Sequence, residues 1–228
     1  MSNPYEGYED DYGESNSRRA GLFIGLGFLA VVAIVLILVV RATHPPLVAA
    51  PTAYASYSDS DQSFTIDQPV GWTVSGGGSG GIESTATFRS GNAEIKVGSD
   101  LGGSLLGDVA QAQNNQFENM ASLAGVNAPP PVPPIVKVHA ESEQEVAANY
   151  ANYQELPMQV FNSKLGEGRY SEFTGQGATF VGPVRGYRAT LLSSERRITV
   201  VTVCPVRNWA ILQPAFLHIL QSVDRGKS

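Results

Sequence analysis

One cysteine, Cys204, stands in 228 residues. A disulfide framework within the chain and a multi-thiolate metal site are thereby excluded. Charge is also sparse, at 16% of residues with a net charge of -6, and no basic stripe suited to tracking phosphates is apparent. Nucleic acid is therefore not among the expected partners. The histidines, His44, His139 and His218, lie in three separate segments. Without H-x-x-x-H, H-E-x-x-H or paired cysteines around them, neither a metal site nor a cofactor is expected.

Charge is absent altogether from Ala20 to Val40, "AGLFIGLGFLAVVAIVLILVV". About 20 helical residues cover roughly the 30 Å of bilayer hydrocarbon, so this run predicts one transmembrane helix. It is longer than the apolar core of a cleaved signal peptide, and the segment before it is long and acidic, with Glu6, Glu9, Asp10, Asp11 and Glu14. Arg18 and Arg19 precede the span and Arg41 follows it. That bias places the N-terminus in the cytoplasm and the remainder outside, at a cell membrane crossed once. Gly21 and Gly25 form G-x-x-x-G, a face on which two such helices could dimerise, although glycine is common in membrane helices generally. The chain thus divides into an acidic tail (1–19), a span (20–40), a Pro/Ala/Ser-rich stalk (41–61) and an exported domain (62–225).

Within that domain, "SFTIDQP" alternates Phe64 and Ile66 with polar residues, and Trp72 and Val74 resume the alternation. "ATFRSGNAEIKV" reads as a hairpin with its turn in "RSGNA", Arg89 to Ala93. Leu105, Val109, Ala112, Gln116, Met120 and Leu123 then follow helical spacing, with Ser104 as N-cap and Gly125 as stop. "APPPVPP", Ala128 to Pro134, reads as a polyproline connector that also contains P-x-x-P. A second helix is expected from a capping box, Ser142 with Glu145, carrying Val146, Tyr150 and Tyr153 on its apolar stripe. Strands follow in "MQVF", "RYSEFTG", "VRGYRATLLSS" and "RRITVVTVCP", the last two as a long hairpin with a central strand. A terminal helix carries Trp209, Leu212 and Phe216; Pro214 either opens it or kinks it. Strands, two helices, strands and a helix predict an α+β domain whose helices cover an antiparallel sheet.

"VSGGGSGGIES", Val74 to Ser84, matches two catalytic patterns, G-x-G-x-x-G from Gly76 and G-x-S-x-G from Gly77, with Ser79 as nucleophile. Both need a helix immediately afterwards, and "IESTATF" favours strand. The run is read as a mobile loop, and Ser79→Ala is expected to change neither folding nor function. Asp59 and Asp61 fall in the stalk, and Glu141 and Glu143 near a helix start where anions are favoured. Cys204 lies in an apolar strand and reads as an inert core residue. No catalytic constellation is identified. Arg185, Arg188, Arg196 and Arg197 could gather at one end of the sheet as an anion-binding surface.

The segments "SFTIDQPVGW", "ATFRSGNAEIKV" and "ITVVTVCPVRNWAILQPAFLHILQSV" resemble domains of the PsbP-like fold, which also occurs in a nuclear-import factor that binds the GTPase Ran. Such domains open on F-x-I-x-x-P-x-G-W, here Phe64 to Trp72, and close on a helix ending near I-L-x-S, here Ile219 to Ser222. The resemblance implies an α/β/α sandwich around an antiparallel sheet, and binding rather than catalysis. No metal or photosystem-docking residue of that family carries over. The expected function is non-catalytic: a membrane-anchored extracytoplasmic domain that binds an envelope protein or assists assembly there. A hydrolase with dispersed residues and a ligand-sensing domain are the alternatives.

Overall fold

β-Branched and aromatic residues at alternate positions draw eight strands into one antiparallel sheet, described by a computed structural model over residues 31–37, 47–79, 81–125, 132–180, 182–193 and 196–226. The chain separates into two units, Met1–Pro46 and Leu47–Ser228. In the first, residues 31–37 form helix α1, whose apolar side chains such as Val31, Ile34 and Leu36 are exposed. The rest of the expected span, with Gly21, Gly25, Arg18, Arg19, Arg41 and His44, lies outside the described residues. Among the described residues no helix is long and apolar enough to cross a membrane.

In the second unit a two-stranded sheet, β1 (Tyr54–Ser58) with β2 (Thr65–Pro69), precedes the main one. The main sheet comprises β3 (Thr73–Ser79), β4 (Glu83–Ser90), β5 (Ala93–Asp100), β6 (Tyr150–Glu155), β7 (Gln159–Asn162), β8 (Glu167–Gly177), β9 (Val184–Leu192) and β10 (Arg197–Pro205). Their order is β3-β4-β5-β10-β9-β8-β6, with β7 also paired to β8. β10 is central, as its β-branched run predicts. On one face Ile95 and Val97 of β5, Ile198 and Val200 of β10, and Ala189 and Leu191 of β9 meet Leu212, Phe216, Ile219 and Leu220. Those last four belong to α4 (Trp209–Ser222), which follows a 3₁₀ turn, Val206–Asn208. Burying each of the larger side chains contributes about 1.5–3 kcal/mol relative to leaving it in water. Pro214 sits inside α4, so the helix starts before it. On the opposite face lie α2 (Gly102–Leu123) and α3 (Pro134–Ala147), completing an α/β/α arrangement.

Several elements depart from the sequence reading, each for a local reason. The segment read as stalk supplies β1, because Tyr57 packs edge-on against Phe88 and its backbone pairs with β2. Asp59 is buried there and accepts hydrogen bonds from Ser63 Oγ (2.9 Å), Phe64 N (2.9 Å) and Ser84 Oγ (2.7 Å). The glycine run is not a loop: Gly76, Gly77 and Gly78 pair with Ala86, Thr85 and Ser84 in β3, an edge strand. Gly76 has φ +118°, and a Cβ there would lie 2.3 Å from the Thr85 carbonyl oxygen. A Cβ on Gly78 would strike the Asp61 carboxylate. Close pairing with β4 therefore requires glycine at position 76, and Gly78 leaves room for the Asp61 carboxylate of the β1–β2 turn.

α2 begins at Gly102, so Ser104 lies inside it, while Gly125 (φ +65°) does terminate it. It leans on α3, where Lys137 Nζ donates to Gln113 Oε1 (3.2 Å). Met120 and Leu123, which follow the helical spacing, are exposed, as is Phe117 beside them. α3 starts at Pro134, eight residues ahead of the expected capping box, because proline fits the first helical turn, where no donor is needed. Ser142 consequently sits mid-helix, buried, donating to the His139 carbonyl (2.9 Å). Glu141 and Glu143 are likewise mid-helical and exposed rather than at a helix start. Tyr150 and Tyr153 belong to β6 instead of to a helix, and they pack against Phe173.

Candidate functional site

Strand register brings together residues that are far apart in sequence on the α3 face of the sheet. Lys96 stands opposite Val201, Gly98 opposite Thr199, and Asp100 opposite Arg197 across the β5–β10 pair. Above them a cleft of about 460 Å³ is floored by Lys96, Gly98 and Thr199 and walled by Glu145, Tyr150 and Phe180. A second cavity of about 240 Å³ adjoins it and shares Arg89, Glu94, Thr179 and Phe180.

Most charges lining the cleft are engaged with one another. Arg89 Nε donates to Glu94 Oε2 (2.7 Å), and Arg197 Nε donates to Asp100 Oδ2 (2.9 Å). Arg197 Nη2 also lies 3.9 Å from Glu145 Oε1 at the rim. Lys96 is exposed and makes no ion pair within 4.0 Å among the described residues. Burial, helped by the negative charge of Glu94, pushes the Tyr150 phenol up to about 12. Tyr150 therefore presents a neutral hydroxyl on an apolar ring.

A second polar cluster lies beneath α3. Arg188, on β9, is 1% exposed. It donates to the His139 carbonyl, to Ser142 Oγ (2.6 Å) and, through Nε and Nη2, to both oxygens of Glu155 (3.2 and 2.5 Å). His139 is fully buried; its Nδ1 is hydrogen-bonded to Thr190 Oγ1 (2.9 Å) and its Nε2 to Ser171 Oγ (3.1 Å). Burial, reinforced by the charges of Arg188 and Arg169 against that of Glu155, lowers the imidazole to about 4. It is neutral at ordinary pH. Burial alone would raise the Glu155 carboxyl, but hydrogen bonds from Arg188, Ser171 and Tyr153 and the Arg188 charge hold it below the usual carboxylate range. Tyr153 is pushed far up, first by burial and then by its hydrogen bond to Glu155. This cluster ties α3 to β6, β8 and β9; His139, Ser142, Ser171, Arg188 and Thr190 are buried, while Tyr153 and Glu155 are partly exposed.

The four arginines proposed as an anion surface are not brought together. Arg188 is sealed in the cluster just described, and Arg197 lines the cleft. Arg185 lies on the opposite face, bonded to Glu172 and stacked on Trp209 with its guanidinium carbon 4.9 Å from the ring centroid. Arg196 donates to the Gly81 carbonyl beside Ser99. The cause is the strand period of two, which sends Arg185 and Arg188 to different sides of β9. Of the residues weighed for chemistry, His218 is half-exposed on α4, with Nε2 3.2 Å from Asp67 Oδ2. Cys204 is fully buried, and burial pushes its thiol up to about 12, as an inert core residue requires. Among the described residues no group of His, Cys, Asp and Glu could hold a metal ion.

No family model matches the chain, and no curated protein matches it either. Among solved structures it is similar to a cyanobacterial PsbP from Synechocystis, with 13% identity and a TM-score of 0.44 over 78% of this chain and 94% of that one. It is also similar to a protein of unknown function from Pseudomonas aeruginosa, with 9% identity and a TM-score of 0.38 over 74% of this chain and 94% of that one.

Proposed function

We propose that residues 47–226 form a non-catalytic binding domain, held on the outer face of a cell membrane by the 20–40 span, that takes a segment of an envelope protein in the β5–β10 cleft. The supporting observation is the separation of the two polar clusters. Of the groups with strongly perturbed protonation, His139 is fully buried under α3 and Tyr153 with Glu155 is only partly exposed beside it, while Tyr150 in the cleft is held neutral. The cleft instead offers paired charges, two aromatic rings and a backbone floor on rigid strands, which is recognition chemistry. The anchor and the cytoplasmic N-terminus rest on Ala20–Val40 and on Arg18 and Arg19 against Arg41. A photo-crosslinking residue placed at Thr179 in the full chain, irradiated in native membranes, is expected to yield one reproducible protein adduct. No adduct, together with turnover by the purified chain in a broad hydrolase screen, overturns the reading in favour of an enzyme.

A further inference from the structure

Lys96, Gly98 and Thr199 share the cleft floor, and their surroundings define what the cleft accepts. Three cations and three anions line it, Arg89, Lys96 and Arg197 against Glu94, Asp100 and Glu145. Arg89 is committed to Glu94, and Arg197 to Asp100. Glu145 is at the rim with its side chain 67% exposed, and its nearest cation is the already paired Arg197 at 3.9 Å. Lys96 is left as the floor cation without an ion pair among the described residues. Beside it Gly98 leaves a gap: a Cβ built there meets no atom within 4 Å, and its backbone is ordinary strand. The Thr199 hydroxyl flanks that gap across the strand pair, and Tyr150 and Phe180 wall the cleft.

We infer that the cleft is a carboxylate site for a polypeptide partner, with Lys96 as the charge partner, the space over Gly98 as the seat, and Tyr150 and Phe180 gripping an adjoining apolar side chain. The inference rests on the binding function proposed above and names the chemistry the partner presents. A carboxylate fits because the unpaired floor charge is positive and the flanking donors are a hydroxyl and an ammonium. A cationic segment would meet Lys96 head-on with no floor carboxylate free to receive it.

The test uses the full chain in lipid nanodiscs and two probes of one shape, 3-phenylpropanoate and 3-phenylpropanamide, followed by saturation-transfer NMR. The acid is expected to bind about tenfold more tightly than the amide. Lys96→Met should reduce the acid to the level of the amide, and Gly98→Val, which fills the seat, should abolish both. An unchanged thermal midpoint for Gly98→Val shows that the fold is kept; if it drops, Gly98→Ala serves in its place. Equal binding of acid and amide, no binding of either, or an unaffected Lys96→Met overturns the carboxylate site. The crosslink from Thr179 separates this failure from that of the binding function. If Gly98→Val abolishes the crosslink while the acid shows no preference, partner binding stands and the carboxylate falls. If the crosslink survives Gly98→Val, the cleft is not the partner's site at all.

Discussion

Arg188 is among the largest fully buried side chains of the domain and the hub of its polar cluster. Replacing it with methionine leaves Glu155 buried without its cation. The expected loss is about 3–5 kcal/mol in chemical denaturation, much of it recovered when Glu155 is made leucine in the same chain. His139 adds a pH dependence of definite sign. Unfolded, its imidazole titrates near 6.5; folded, near 4. Between those values the unfolded chain binds more protons, so stability falls as pH drops from about 6.5 to about 4, by about 3 kcal/mol. Glu155, held below its usual range when folded, extends the loss at lower pH. Denaturant midpoints at pH 7, 5 and 4 check this, and His139→Gln should flatten the upper part of the curve. None of this cluster was apparent from sequence spacing. Its members come from α3, β6, β8 and β9, and Ser142 carried a competing signal, since S-x-x-E reads as a cap wherever a helix is not already under way.

Elements whose period was unambiguous were legible: the β4–β5 and β9–β10 hairpins and α4 stand where alternation and three-to-four spacing put them. The misreadings have a shared cause. Tyr150 and Tyr153 are three apart, which suits a helix face, but β6 carries a register shift between Ala151 and Gln154 that brings both rings against Phe173. β1 hides among small polar residues because only Tyr54 and Tyr57 of its five side chains pack against the core, and backbone pairing with β2 supplies the rest. The glycine run was misread because glycine signals freedom, whereas here it signals contact. Gly76→Ala should therefore cost about 1–3 kcal/mol by thermal or chemical denaturation, the left-handed φ and the Thr85 carbonyl both opposing the methyl. Gly77→Ala, with open space and no left-handed φ, should be neutral or slightly stabilising. Equal effects at the two positions would return the run to a loop.

At the scale of the whole chain, the α+β layering was readable from element order, while the cleft was not. Its lining is drawn from β4, β5, α3, β6, the β8–β9 turn and β10, and only strand register assembles it. The membrane arrangement is testable directly: a reporter active only in the cytoplasm, fused after Ser228, should be silent, and an active one would invert the orientation. The β3 edge carries a consequence of another kind. An eight-stranded sheet that ends in an unpaired strand offers a template to other copies of itself. Here the β1–β2 turn covers part of that template, since Ser60 Oγ accepts from Gly78 N (3.0 Å), Asp61 Oδ2 accepts from Gly81 N (3.0 Å), and buried Asp59 anchors the turn to Ser84. Asp59→Ala should accordingly release the turn and expose the edge. Its signature is light scattering that grows with protein concentration at temperatures where each molecule is still folded, a colloidal defect added to the stability lost when the buried donors of Ser63, Phe64 and Ser84 lose their acceptor.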